Sequence, residues 1–121
     1  MEEYKLKVSH EGIGESVVTF YNSKQHPAAV GVPVKMSANG EVSACVSGDK
    51  FFGVCIACDS EFTAVQTAGY VKLGYTGATV PTVGFVSLAA DGSGGAAVNA
   101  SGREFLVIDV DKTSALAGVV L

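Results

Sequence analysis

Residues 30 to 56 constrain the fold more than any other stretch. They read Val-Gly-Val-Pro-Val-Lys-Met, Ser-Ala-Asn-Gly, Glu-Val-Ser-Ala-Cys-Val, Ser-Gly-Asp-Lys and Phe-Phe-Gly-Val-Cys-Ile. Apolar side chains recur every second residue, the spacing that places them on one face of an extended strand. Val30, Val32, Val34 and Met36 share one face of the first run, and Val42, Ala44 and Val46 share one face of the second. Pro33 has no N–H for a ladder, which assigns the first run to a sheet edge or a bulge. Asn39-Gly40 between the runs is a hairpin signal, because both residues tolerate positive φ. Gly48-Asp49 marks the next turn. The third run, extended to Cys58, is apolar on both faces, as in a strand covered on both sides.

The same grammar runs through the rest of the chain. Tyr4 to Val8 and Val17 to Tyr21 read as strands joined through Gly12-Ile13-Gly14, and Asn22 to Ala29 reads as a loop. Phe62 to Tyr75 is one long extended run with a bend or bulge at Gly69. Residues 82 to 89 and 104 to 110 are two more strands, separated by a flexible turn at Asp91-Gly92-Ser93-Gly94-Gly95. The end, Ala117 to Leu121, is apolar, which predicts that it pairs in a sheet. No helical stripe reaches three turns, although residues 57 to 64 and 111 to 117 have room for a turn each. No stretch of sequence repeats convincingly. About nine short strands with regular turn signals predict an all-β fold, a compact β-barrel or sandwich with little or no helix. Residues 1–15 form an N-terminal strand or arm in this reading, and residues 16–121 the barrel-like domain.

The chain has 121 residues, enough for one domain with one core. Its charged fraction, 17%, is low against about a quarter in ordinary domains, which predicts surface covered by another subunit. The net charge of −4 and singly spread basic residues argue against nucleic acid and against an anionic membrane surface. No run is long enough to span a bilayer as a helix. Residues 1 to 10 alternate and carry charge, unlike a secretory signal, which predicts a chain made and folded in a cytosol.

The chemistry-bearing residues are few. Cys45, Cys55 and Cys58 are an odd set, which argues against a disulfide framework. Cys55-x-x-Cys58 lacks the further ligands of a zinc site. Three positions apart on a regular strand, the two cysteines are expected on opposite faces, serving packing. Asp109 and Asp111 supply too few oxygens to specify Ca²⁺ and are expected to be solvated at a strand end. His10 and His26 have no nucleophile and no orienting acid at a recognisable spacing. The glycines from Gly92 to Gly95 lack the lysine and following helix of a phosphate loop. No catalytic residue, metal ligand or cofactor is expected, so the chain is read as a non-enzyme.

The order of the pieces resembles a known family. Gly31-x-Pro33-Val34, Asn39-Gly40, Gly48-Asp49-x-Phe51-Phe52-Gly53-Val54, Ala64-Val65-Gln66 and Gly69 to Val71 come first. Pro81-x-Val83-Gly84-x-Val86, Leu88-Ala89-Ala90-Asp91-Gly92 and Phe105-Leu106-Val107-Ile108-Asp109 follow. Over about residues 16 to 121 this resembles the small head-decoration, or capsid-cement, proteins of bacteriophages and prophages. The resemblance implies a non-catalytic structural protein on the capsid surface of the virion, made in the bacterial host cytoplasm. It implies a homo-oligomer, a trimer, with the phage major capsid protein as partner and shell stabilisation as its role. The N-terminal segment, with Tyr4, Leu6 and Val8 on one face, is either a partner contact that adds a strand to a neighbouring sheet or the first strand of the barrel. The alternative is a β-sandwich module binding a carbohydrate or other ligand through Tyr21, Tyr70 or Tyr75.

Overall fold

The computed structural model describes residues 16–121, so the expectations for Tyr4, Leu6, Val8, His10 and the Gly12–Gly14 turn lie outside the described residues. Ten strands and no helix make up the described part. They are β1 (Ser16–Asn22), β2 (Pro33–Ala38), β3 (Glu41–Ala44), β4 (Gly53–Cys58), β5 (Phe62–Ala68), β6 (Tyr70–Thr76), β7 (Gly84–Ala90), β8 (Ala96–Val98), β9 (Arg103–Asp111) and β10 (Leu116–Val120). The all-β barrel reading holds, with ten strands where the sequence reading places eight within these residues. The two additional strands come from the run Phe62 to Tyr75, which is both β5 and β6, and from β8, whose Ala-Ala-Val is too short and too small to show a periodicity.

The strands close into two five-stranded barrels, β1-β3-β2-β4-β5 and β10-β6-β8-β7-β9. The two have one topology. In the first, β1 runs parallel to β3 and antiparallel to β5, while β2 pairs antiparallel with β3 and β4, and β4 with β5. In the second, β6 takes the place of β1, and β7 to β10 those of β2 to β5, with every direction kept. The chain is therefore an internal duplication, which corrects the reading that nothing repeats. The ladders fix the equivalences: Val34 opposite Gly53 matches Val86 opposite Phe105, and Cys55 opposite Val65 matches Val107 opposite Val119. On this alignment Pro-Val-Lys-Met-Ser-Ala-Asn-Gly (33–40) lies over Phe-Val-Ser-Leu-Ala-Ala-Asp-Gly (85–92). Likewise Gly-Val-Cys-Ile-Ala-Cys-Asp (53–59) lies over Phe-Leu-Val-Ile-Asp-Val-Asp (105–111). Both closing aspartates make the same turn. Asp59 Oδ1 accepts from the N–H groups of Glu61 and Phe62, and Asp111 Oδ1 from those of Thr113 and Ser114. These turns occupy the two places where the sequence left room for a helical turn.

Gly69, at φ 92°, is where the chain leaves the first barrel and enters the second. The long run from Phe62 to Tyr75 is thus two strands of different sheets, and the left-handed backbone that glycine permits makes the corner. Each barrel has its own core. The first is built on Val34, Val42, Cys55 and Val65, with Phe20 and Phe52 packed against them. The second is built on Leu73, Leu88, Phe105, Val107 and Val119, and it also takes in Phe51 and Val54 from the first half of the chain. From Phe51 to Cys55 the run is covered on both faces, Cys55 in the first core and Phe51 and Val54 in the second, whereas Ile56, Ala57 and Cys58 are exposed, which corrects the expectation of a strand covered to its end. Phe51 stacks on Phe105, ring centroids 4.8 Å apart at 18°. The apolar end is paired as expected, β10 lying between β6 and β9.

Candidate functional site

The loop after β1 is pinned by one asparagine. Asn22 Nδ2 donates to the Asp59 carbonyl and Asn22 Oδ1 accepts from the Ala28 N–H, each at 2.8 Å. Ser23 Oγ accepts from the N–H groups of Gln25 and His26, and the His26 carbonyl accepts from the Ala44 N–H. These bonds hold Lys24, Gln25 and His26 along the rim of an open cleft of about 910 Å³ in the first barrel. Tyr21 lines the cleft with 57% of its surface exposed, its ring stacked on Phe62 at 5.6 Å. Buried Ser43 and the carboxylates Glu41 and Glu61 complete a wall of mixed polarity.

Lys35, also on the cleft, is paired with Asp49 at 2.7 Å. Asp49 Oδ2 accepts a second bond from the Val46 N–H at 2.9 Å. The Lys35 hydrogen bond, followed by the Val46 one, holds the Asp49 carboxyl below its ordinary range, and the same bond pushes Lys35 up. Burial, reinforced by the Asp49 charge, pushes the neighbouring Cys45 thiol up to about 11. No hydrogen bond joins the His26 side chain to a serine or a carboxylate among the described residues.

The cysteines correct one expectation. Cys55 pairs with Val65 and Cys58 with Thr63, with the register shifting between Cys55 and Ala57. Three residues of β4 therefore face two of β5, and Ile56 is a β-bulge. A strand position i+3 normally points away from position i; the extra residue turns it back. Both cysteines consequently face the barrel interior side that Val65 and Thr63 face, and not opposite sides. Cys55 is 1% exposed and fills the core as expected, while Cys58 is exposed and its Sγ donates to the Ala28 carbonyl at 3.4 Å. All three cysteines are free thiols.

The remaining expected sites have structural employment. Asp109 accepts from the Tyr70 hydroxyl at 3.2 Å, and both Asp109 and Asp111 are exposed. Asp91 Oδ1 accepts from the N–H groups of Ser93 and Gly95, and its Oδ2 from Thr76 Oγ1, so the glycine-rich segment is a turn wrapped round a carboxylate. No group of three or more His, Cys, Asp or Glu side chains converges among the described residues. The second barrel instead presents apolar surface that strand-by-strand reading passed over. Val83, just before β7, and Phe85, within it, are 69% and 71% exposed, with Val80 nearby in sequence at 40%. The available signal was two large apolar residues flanking Gly84, which takes φ 117° where β7 begins. Compared with known proteins, the sequence matches no family model and no curated protein.

Proposed function

We propose that the chain is a non-catalytic structural protein of a bacteriophage or prophage particle, a capsid-decoration protein that stabilises the assembled shell. The observation that carries this reading is the exposed pair Val83 and Phe85. Phe85 stands on β7 and Val83 just before it, and large apolar side chains open to water mark a contact surface. Among the described residues, ten short strands in two closed barrels leave no open sheet edge within either barrel, so partners of this part meet side chains instead of unpaired backbone. The low charge of the chain and the order of its turn motifs support the same reading. The partners are sister subunits, in a trimer, and the major capsid protein at the virion surface, reached after synthesis in the host cytoplasm.

The test is co-sedimentation of the purified chain with expanded, undecorated capsids, with light scattering of the free chain. Retention on shells is expected, and Phe85→Ser is expected to weaken it about tenfold or more, the loss of a buried aromatic contact, with an unchanged thermal midpoint. A chain that ignores capsids and every virion fraction sinks the reading. The carbohydrate alternative keeps one specific observation, the exposed Tyr21 face on a polar cleft. Retention on a glycan array that Tyr21→Ala abolishes, without retention on shells, puts that alternative in its place.

A further inference from the structure

The bulge at Ile56 gives Cys55-x-x-Cys58 a property that a regular strand denies it. Three strand steps separate Cα atoms by about 10 Å, beyond disulfide reach. Here the two cysteines stand opposite Val65 and Thr63, only two steps apart on β5. That brings the span to about 6.7 Å, at the upper end of the bridgeable range. Each thiol donates to a backbone carbonyl, Cys55 to Ala57 at 3.5 Å and Cys58 to Ala28 at 3.4 Å, so neither sulfur is held by another side chain. One sulfur is buried and the other exposed, so an outside reagent meets Cys58 first.

The second barrel is the internal control. Its ladder is bulged at the matching Ile108, and the positions equivalent to Cys55 and Cys58 are Val107 and Val110. Val107 is fully buried and Val110 packs against the same core. Valine satisfies the packing at both places, so the fold itself does not require sulfur at either.

We propose that Cys55 and Cys58 are a reversible dithiol–disulfide site, closed by exchange with a low-molecular-weight organic disulfide of the glutathione type. The deprotonated Cys58 sulfur attacks one sulfur of the reagent. The reagent's S–S bond breaks, a mixed disulfide forms on Cys58, and one thiolate leaves, taking up a proton from water. Cys55 then gives its proton to solvent and attacks Cys58 Sγ. The mixed disulfide breaks, the Cys55–Cys58 bond forms, and the second reagent thiol leaves. Two protein thiols are oxidised and one reagent disulfide is reduced to two thiols, a balanced two-electron exchange. A bridge spanning the upper limit of disulfide reach is strained, and strained disulfides are the readily reduced ones. Closure also removes the proton that Cys58 donates to the Ala28 carbonyl.

The test uses the full chain with oxidised glutathione, followed by rapid alkylation, digestion and mass analysis. The expected product lacks two hydrogens across Cys55 and Cys58, leaves Cys45 open to alkylation after unfolding, and reverts with dithiothreitol. Cys55→Val, which copies the residue type of Val107, is expected to keep the fold and to trap glutathione on Cys58 as a lasting mixed disulfide. Cys58→Ser is expected to take up no glutathione on Cys55. Closure of the mixed disulfide should accelerate about tenfold per pH unit near neutrality, since burial and then the neighbouring Cys58 thiol push the Cys55 thiol up to about 11. A wild-type chain that stops at the Cys58 adduct overturns the proposal. So does one whose Cys55 and Cys58 both remain fully alkylatable while a free dithiol in the same mixture is oxidised.

Discussion

Thr63 is fully buried in β5, and its hydroxyl has no hydrogen-bond partner among the described residues. Leaving such a group unpaired costs about 1–3 kcal/mol. The equivalent residue of the second barrel is Ala117, so no hydroxyl is needed at this place in the topology. Thr63→Val keeps the shape and removes the orphaned group. It is expected to stabilise the chain by about 1 kcal/mol, read as a rise in the urea midpoint without a change in slope; a fall in midpoint would mean that the hydroxyl is bonded. The cysteines act at the same scale in the alkaline range. Burial is the first cause that pushes the thiols of Cys45 and Cys55 up to about 11, against about 8.5 in an unfolded chain. The folded state keeps protons that the unfolded state has lost. Their stabilising effect is therefore complete below pH of about 8.5 and is lost as pH rises toward about 11. Under reducing conditions the urea midpoint should fall as pH is raised from neutrality through this window. A variant carrying Cys45→Ala and Cys55→Val should show a shallower fall.

At the scale of the element, the turns were the most legible feature and the bulges the least. Asn39-Gly40 makes its hairpin, but only Gly40 takes positive φ, at 70°, and the ladder beside it shifts register between Met36 and Ala38. Gly69 marked a bend because no other residue type takes φ 92° without strain. That the bend divides two barrels was not legible, since a corner within a sheet and a corner between sheets need the same backbone. The bulge at Ile56 has no composition of its own, and a period-two reading carried across it inverts every later side chain. That is why the pattern puts Cys58 on the wrong face while it places Cys55 correctly. β8 escapes a sequence reading because three small residues carry no pattern, and its place comes from pairing parallel with β6 and antiparallel with β7. The cleft is in the same position: Tyr21, Lys35 and Ser43 come from three strands, and only the order β1-β3-β2 brings them together.

At the scale of the molecule, duplication explains how so short a chain holds two barrels, and Phe51 explains why they act as one. A five-stranded barrel of about 50 residues buries little apolar surface and is marginal alone. The two halves share few identities, such as Val34 with Val86, Gly40 with Gly92, Ile56 with Ile108 and Asp59 with Asp111, which hid the repeat from the sequence. Phe51 precedes β4 of the first barrel, yet it is 1% exposed in the second core, stacked on Phe105. The Arg103 guanidinium lies 4.7 Å from the centre of the Phe105 ring, so the aromatic pair also carries a cation–π contact. Val54 crosses in the same direction. Phe51→Ala leaves every strand and turn in place and empties the joint between the barrels. The expected cost is about 3–5 kcal/mol, the range for an aromatic side chain removed from a core. Because the lost contacts belong to both barrels, the effect should be on cooperativity as well as on the midpoint. Wild-type unfolding followed by Tyr21, in the first barrel, and by Tyr75, in the second, should coincide in single-tyrosine chains. In Phe51→Ala the two curves should separate, with the second barrel, which lost the buried ring, unfolding first. Coincident curves at an unchanged midpoint would show that the barrels are coupled elsewhere.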